Sequence, residues 1–173
     1  HRPGPVAVPG QSHADPPAGR LAADKSPHRR LAPHPILGAP AGRGEAFLAA
    51  GQVVYAGFGS MAKGDPEQRA RTVVAAIRAT GKRAILATGW GGLQVPVDLL
   101  GDDLLVTRTV DHQLGLPRVE AAIHHGGAGP VHAAAAAGTG SIIVPFMADQ
   151  PWWGRRLHER GLAPHATPAR RLT

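Results

Sequence analysis

The sequence predicts an α/β fold in which a doubly wound parallel sheet carries helices on both of its faces. From residue 52 onward, short segments rich in β-branched and other apolar residues alternate with segments of helical character. Glycine or proline stands near the ends of most of these segments, where a strand or a helix is expected to stop. Near-continuously apolar strands that alternate with helices are typical of a parallel sheet covered on both faces.

Each element is placed by its own apolar run and its flanking residues. Pro66 suits the first turn of a helix, and Gly81 suits its end. The predicted strands are 52–58, 83–88, 103–110, 121–124 and 141–146. The predicted helices or helical turns are 46–50, 66–79, 114–119, 128–137 and 151–160.

The first 45 residues differ from the rest of the chain. They hold nine of the seventeen prolines and no aromatic residue. Such a segment cannot bury enough apolar surface to offset the entropy lost on ordering. We expect residues 1–45 to form a disordered or irregular tail and residues 46–173 to form the folded domain.

Composition limits the classes of partner and compartment. The formal net charge is +7, but the charges are scattered and only 4% of the residues are aromatic, so we expect no nucleic-acid partner. No apolar run approaches the length of a membrane span. Cysteine is absent, which excludes disulfides and cysteine-based metal sites and favours a reducing, cytoplasmic location.

Polar and aromatic residues follow the predicted strands. Ligands of open α/β sheets bind beyond the carboxyl ends of the strands, so these residues are expected along one edge. They are Ser60, Trp90, the segment around His112, His125 and the pair Asp149–Gln150.

A glycine-rich turn over residues 125–129 joins the fourth strand to a helix. Glycines allow close approach to the backbone, and the helix N-terminus offers free N–H groups, so the turn predicts a phosphate or diphosphate site. We assign ligand binding to His125 and core packing to His124. Neither histidine has a metal-binding partner evident in the sequence, so no metal site is expected.

Three further residues or pairs each allow two interpretations. Asp149 either caps the following helix or, together with Gln150, hydrogen-bonds the vicinal hydroxyls of a sugar. Trp90 either stacks on a base or covers the edge of the sheet. Ser60 either donates to a phosphate or is an ordinary loop serine.

Three motifs in this order carry a family resemblance: Val54-Tyr-Ala-Gly-Phe-Gly-Ser-Met61, Ile123-His-His-Gly-Gly-Ala-Gly129 and Val144-Pro-Phe-Met-Ala-Asp-Gln-Pro151. Together they resemble the C-terminal, donor-binding half of nucleotide-sugar glycosyltransferases of the GT-B type. Similarity is greatest to bacterial enzymes that glycosylate natural products such as glycopeptide antibiotics, and next to sterol glucosyltransferases. The resemblance covers about residues 47–172 and implies a Rossmann-like domain, one half of a GT-B fold.

The resemblance implies a function and a role for each motif. The family transfers a hexose from a UDP- or TDP-sugar to a natural-product or lipid-like hydroxyl, with the nucleotide sugar as substrate and no cofactor. Asp149 and Gln150 would bind the sugar. The residues that would hold the diphosphate are Ser60, His125, Gly126, Gly127, Ala128 and Gly129. The residues that would surround the base are Trp90, Val110, His112 and Gln113.

Departures from the family pattern set a limit on activity. Pro130 stands where the family usually has threonine, which removes one N–H and one hydroxyl from the diphosphate site. The resemblance implies that the histidine that activates the acceptor belongs to a separate N-terminal domain, and that closing C-terminal helices follow the point where this sequence stops. We therefore expect a truncated donor domain that needs an N-terminal acceptor-binding domain or chain. The alternative is a non-catalytic nucleotide-sugar-binding or interaction fragment.

Overall fold

A computed structural model describes residues 42–60 and 62–172, and residues 1–41 of the predicted tail over 1–45 lie outside the described residues. The strands are β1 (Val53–Gly57), β2 (Arg83–Ala87), β3 (Leu104–Thr107), β4 (Ala121–His124) and β5 (Gly140–Ile143). The helices are α1 (Arg43–Ala49), α2 (Pro66–Arg78), α3 (His112–Gly115), α4 (Ala128–Ala137) and α5 (Gln150–Glu159). Short 3₁₀ turns occupy Val97–Leu99, Leu116–Arg118 and Ala169–Arg171.

The five strands form one parallel sheet in the order β3-β2-β1-β4-β5. Strands β2 and β3 extend the sheet on one side of β1, and strands β4 and β5 extend it on the other side. Val54 lies opposite Ala121 and Gly57 opposite His124, so β1 and β4 end at the same level. This reversal of strand order creates a crevice between their carboxyl ends, where ligands of such sheets bind.

Helices cover both faces of the sheet, as the sequence predicts. On one face the buried side chains of Val54 and Leu86 pack with Val73, Val74 and Ile77 of α2. On the other face a second buried cluster joins the sheet to α1 and α4, and its members include Phe47, Tyr55, Ile85, Ala122 and Ala134. The alternation of Val54 and Tyr55 follows from the two-residue period of a strand.

The predicted start of α2 and the predicted end of α4 are confirmed, and capping explains both. Pro66 begins α2, and the Oδ1 atom of Asp65 accepts hydrogen bonds from the N–H groups of Glu67 and Gln68 at 2.8 and 3.1 Å. At the C-terminal end of α4, Gly138 takes a left-handed conformation with φ of 68°. A glycine adopts this conformation without the steric cost that a side chain would add.

Four strands are shorter than predicted, and β3 and β5 end three residues early. The predictions 103–110 and 141–146 extend beyond β3 and β5, which end at Thr107 and Ile143. Each ends where its neighbour in the sheet ends, since Thr107 is opposite Ala87 and Ile143 is opposite His124. The apolar residues beyond these points belong to the loops that shape the crevice.

The folded part of the chain begins earlier than residue 46. Helix α1 starts at Arg43, and Glu45 forms an ion pair of 2.6 Å with Arg118. Phe47 and Leu48 of the same helix are buried against the sheet. The boundary predicted between residues 45 and 46 therefore falls inside α1.

Candidate functional site

Loops from four strands meet in a cleft of about 210 Å³ at the carboxyl edge of the sheet. The predicted site residues Val110, His112 and His125 line this cleft together with Pro130. The remaining lining residues are Tyr55, Gly57, Gly59, Ala87, Gly89, Arg108 and Thr109. Its position at the reversal of strand order agrees with the sequence prediction for the ligand site.

The turn between β4 and α4 requires glycine for two different reasons. Gly126 has φ of +84°, and a Cβ atom there would lie 2.7 Å from Cγ2 of Ile143. A Cβ atom on Gly127 would lie 2.5 Å from Nε2 of His125, so its absence leaves room for the imidazole. The turn is thus shaped by close packing, and it leads directly into the first turn of α4, with its free backbone N–H groups.

His124 anchors this turn from inside the protein. Its side chain is buried, its Nδ1 atom accepts the N–H of Gly126 at 3.2 Å, and its Nε2 atom lies 3.1 Å from Oγ of Ser141. Since Nδ1 accepts a hydrogen bond, Nε2 carries the proton and donates it to the serine oxygen. Burial lowers the pKa of His124 to about 3, so the ring is neutral. The predicted packing role of His124 is confirmed.

His125 has the contrasting position. Its ring is half-buried at the cleft, and its Nδ1 atom is buried without a hydrogen-bond partner among the described residues. Burial lowers the pKa of this imidazole, the carboxylate of Asp149 opposes that shift, and His112 adds to it. The ring is therefore neutral near pH 7 and carries one N–H group.

The loops after β1 and β2 pack backbone against backbone beside this turn. Gly59 has φ of +61°, and a Cβ atom on Gly92 would lie 2.4 Å from the carbonyl oxygen of Gly59. A Cβ atom on Gly59 would lie 3.5 Å from Cε1 of His125. Ser60 is exposed and directly follows Gly59. The structure thus brings the loop of Ser60 next to the His125 turn.

The predicted base-binding residues divide into two groups. His112 lies in the cleft with its Nε2 atom 3.1 Å from the hydroxyl of Tyr55, and Val110 lines the same cleft. Gln113 instead lines a neighbouring groove of about 480 Å³ with Gly129 and His132. Trp90 is 77% exposed, and the guanidinium carbon of Arg108 lies 4.8 Å from its ring centroid.

Asp149 and Gln150 follow β5 at the start of α5. The Asp149 side chain makes no capping hydrogen bond, so the capping interpretation is wrong. Instead its Oδ2 atom accepts the indole N–H of Trp153 at 2.8 Å. Gln150 is buried, and its Oε1 atom accepts the N–H groups of Phe146 and Met147 at 2.7 and 3.1 Å. Ala148, directly before Asp149, has φ of 55°, an uncommon conformation for a residue with a side chain.

Sequence reasoning missed two cleft residues, Tyr55 and Arg108. Arg108 directly follows β3, so the rule that ligands lie beyond strand ends would have included it. Tyr55 lies within β1 and no sequence pattern marks it; in the structure, a Cβ atom on Gly57 would lie 2.3 Å from its hydroxyl. Burial raises the pKa of Tyr55 to about 12, so the phenol stays protonated.

Arg69 is a third residue that sequence reasoning missed, and its buried side chain connects two of the loops near the cleft. Its side chain is fully buried, and its guanidinium donates to the carbonyl of Gly92 at 2.6 Å and to the carbonyl of Lys63. The guanidinium carbon lies 5.0 Å from the ring centroid of Phe146. Arg69 therefore ties the loop that contains Ser60 to the loop after Trp90. No local pattern distinguishes this arginine from the others on α2.

Two classes of feature are absent from the described part of the chain. Residues 42–60 and 62–172 contain no group of three or more His, Cys, Asp or Glu side chains placed to hold a metal ion. No helix in these ranges is both long and apolar enough to cross a membrane.

Comparison with known proteins identifies the family. Residues 43–169 match the family described as UDP-glucoronosyl and UDP-glucosyl transferase. The chain belongs to this family. It is 48% identical over 118 residues to the vancomycin aglycone glucosyltransferase of Amycolatopsis orientalis, covering 68% of this chain and 28% of that protein. It is 40% identical over 118 residues to a sterol 3-beta-glucosyltransferase of Arabidopsis thaliana, covering 66% of this chain and 18% of that protein.

Solved structures show the same fold. The glycotransferase of kitacinnamycin superposes with a TM-score of 0.63 at 20% identity, over 82% of this chain and 34% of that one. Arabidopsis thaliana UGT89C1 complexed with UDP superposes with a TM-score of 0.61 at 21% identity, over 79% of this chain and 37% of that one. The resemblance to glycosyltransferases and the Rossmann-like fold of a GT-B half are confirmed. The chain spans about a quarter of the length of the antibiotic glucosyltransferase that it matches.

Proposed function

We propose that this chain is the donor-binding domain of a glycosyltransferase that uses a nucleoside-diphosphate sugar. Joined to an acceptor-binding domain, it would serve the transfer of a hexose to a hydroxyl of a natural product or a lipid-like acceptor. The observation that carries this proposal is the crevice between β1 and β4, where the glycine turn leads into α4 and His125 lines the cleft. Family membership and the similarity to antibiotic and sterol glucosyltransferases support it.

The diphosphate would bind at the turn that precedes α4. Ala128 and Gly129 begin the helix, and both are exposed, so their N–H groups can face an anion. The neutral His125 ring would add an N–H donor, and the hydroxyl of Ser60 another. The same dipoles would stabilise the negative charge that grows on the diphosphate as the sugar departs.

The base and the ribose would occupy the cleft beside the diphosphate. Val110 and His112 line this cleft, and the hydrogen bond between the Tyr55 hydroxyl and Nε2 of His112 holds the His112 ring in place. Trp90 and Gln113 lie outside its lining and would contact the nucleotide at its outer edge. The solved structure of UGT89C1 complexed with UDP supports a uridine nucleotide as the first donor to test.

The sugar would lie on the other side of the diphosphate, near Asp149 and Gln150. Asp149 is exposed, and the start of α5 lies against the glycine turn, since a Cβ atom on Gly126 would lie 3.3 Å from the carbonyl oxygen of Gln150. This proximity supports a sugar site next to the proposed diphosphate site. Carboxylate oxygens accept hydrogen bonds from vicinal hydroxyls. Because the Gln150 oxygen already accepts two backbone N–H groups, its NH₂ group is the part we assign to the sugar.

Activation of the acceptor is assigned to an N-terminal acceptor-binding domain and to no residue of this chain. We therefore expect the 173-residue chain to bind a donor without transferring its sugar. Isothermal titration calorimetry with UDP, TDP and their glucose conjugates tests the binding. We expect saturable binding that His125→Ala weakens by about tenfold, as the loss of a hydrogen bond to a charged group predicts. His165→Ala, a change at an exposed histidine of the C-terminal segment, is the matched control. Equal affinities in both variants would contradict the proposal.

Pro130 favours a second candidate function, a domain that binds a nucleotide sugar without supporting transfer. Pro130 lines the cleft and has no N–H to offer a phosphate. A chimaera distinguishes the two candidates: residues 43–172 replace the corresponding part of the vancomycin aglycone glucosyltransferase, and mass spectrometry follows the product. Glucosylated aglycone supports the catalytic proposal, whereas donor binding without product supports the second candidate.

A further inference from the structure

Trp153 is held firmly on α5 by its neighbours. Its ring is half-buried and packs against the buried side chains of Val131, Ile143 and Leu157. The His132 ring approaches it edge-on at 5.1 Å, and the Trp152 ring does so at 4.7 Å. An indole enclosed in this way has little freedom to rotate, so the direction of its N–H group is fixed.

That N–H group is directed at Asp149, one helical turn earlier. The distance from Nε1 to Oδ2 is 2.8 Å, and the indole can only donate. The side chain of Asp149 makes no cap to α5, and Oδ1 makes no hydrogen bond to any residue in the described ranges. Trp153 therefore sets the direction of the carboxylate through Oδ2, and Oδ1 has no hydrogen-bond partner among the described residues.

We propose that Trp153 is a positioning residue for the donor sugar, because its fixed indole N–H orients the Asp149 carboxylate toward the sugar hydroxyls. This inference rests on the proposed function, in which Asp149 binds the sugar. The indole itself need not touch the donor. The indole acts only through the contact between Asp149 and the sugar. Its loss therefore lowers the affinity for a nucleotide sugar and leaves the affinity for the free nucleotide unchanged.

The test compares two nucleotides in two variants by calorimetry. Trp153→Phe keeps an aromatic ring and removes the N–H, and His165→Ala is the control at an exposed histidine of the C-terminal segment. We expect Trp153→Phe to bind UDP as the wild type does and to bind UDP-glucose about three- to tenfold more weakly. His165→Ala should match the wild type for both. An unchanged ratio of the two affinities in Trp153→Phe would overturn the inference.

A double-mutant cycle separates action through Asp149 from a direct contact. In an Asp149→Asn background, the further change Trp153→Phe should have little additional effect on UDP-glucose affinity, since the carboxylate is already lost. Full additivity of the two losses would contradict the positioning role. If the wild type binds neither UDP nor UDP-glucose, the proposed function itself fails, which is a different result from an unchanged ratio.

The wild-type protein provides a test that does not depend on the folding of a variant. The chain contains three tryptophans, so the indole N–H signal of Trp153 can be assigned by elimination with Trp90→Phe and Trp152→Phe. We expect this signal to move when UDP-glucose is added and to stay in place with UDP alone. Equal movement with both nucleotides would overturn the inference.

Discussion

The backbone N–H of Gly126 donates a hydrogen bond of 3.2 Å to Nδ1 of His124, two residues earlier in the chain. This bond turns the chain sharply as it leaves β4, and the Ser141 hydroxyl holds the other nitrogen of the ring from β5. The two adjacent histidines therefore have separate tasks. His124 builds the turn from within the core, and the next residue presents its ring at the cleft.

The buried His124 makes stability depend on pH. Its pKa is lowered to about 3 in the folded state, whereas the unfolded chain titrates near the ordinary value of 6.5. Between these values the unfolded state binds more protons, so this contribution is complete above pH 6.5 and is lost as the pH falls toward 3. Urea denaturation should show a loss of about 2 kcal/mol from His124 between pH 7 and pH 5. His124→Gln should show a smaller loss over the same interval; an equal loss would contradict this assignment.

Gly126 and Gly129 should respond oppositely to alanine. Gly126→Ala meets a positive φ and a contact of 2.7 Å with Ile143, so we expect it to lower the free energy of unfolding by about 2–4 kcal/mol. A Cβ atom on Gly129 meets nothing within 4 Å, so Gly129→Ala should leave stability unchanged or raise it by up to about 1 kcal/mol. Denaturant titration of both variants checks the pair, and equal stabilities would be inconsistent with the packing of the turn.

Pro130 should limit the affinity for the donor. Pro130→Thr would supply an N–H and a hydroxyl at the third position of α4, where an anion is favoured. We expect calorimetry to show about tenfold tighter binding of UDP-glucose, in line with the worth of a hydrogen bond to a charged group. Pro130→Ala adds the N–H alone and should give a smaller gain. If neither variant binds more tightly, the diphosphate does not lie at this turn.

Arg69 should matter for stability more than its neighbour Arg71. Arg69→Met leaves the carbonyl groups of Gly92 and Lys63 without their buried donor, at a cost of about 2–4 kcal/mol to the free energy of unfolding. Arg71 forms surface ion pairs with Glu67 and Asp98, and such pairs contribute little, so Arg71→Met should cost clearly less. Thermal and urea denaturation of the two variants give the comparison. Similar losses would mean that the buried guanidinium does not tie the loops together.

Much of the fold was predictable because its signals are local. Pro66 marks the start of α2, Gly138 marks the end of α4, and each apolar run predicted as a strand forms one. Because the carboxyl ends of parallel strands meet at one edge of the sheet, the sequence also predicted that His112 and His125 lie along the same edge. The predicted strand lengths were less accurate, because a strand ends where the neighbouring strand stops pairing with it.

The remaining features depend on contacts between distant parts of the chain. The hydrogen bond of Tyr55 to His112 spans 57 positions, and that of Arg69 to Gly92 spans 23. No residue pattern along α2 marks Arg69 as buried. The hydrogen bond between Trp153 and Asp149 is local in sequence, yet the orientation of the indole depends on the rings and the strand residue that pack against it. The sequence could thus predict which loops meet at the cleft but not the hydrogen bonds between their residues.

The most direct test of the donor-site proposal is a map of backbone amide shifts as UDP-glucose is titrated into ¹⁵N-labelled chain. We predict that the largest shifts occur at Gly126, Gly127, Ala128 and Gly129, with a second group around His112 and a third around Asp149. Addition of UDP alone should move the first two groups and spare the third. Shifts confined to other surfaces, or none at millimolar UDP-glucose and TDP-glucose, would contradict a donor site between β1 and β4.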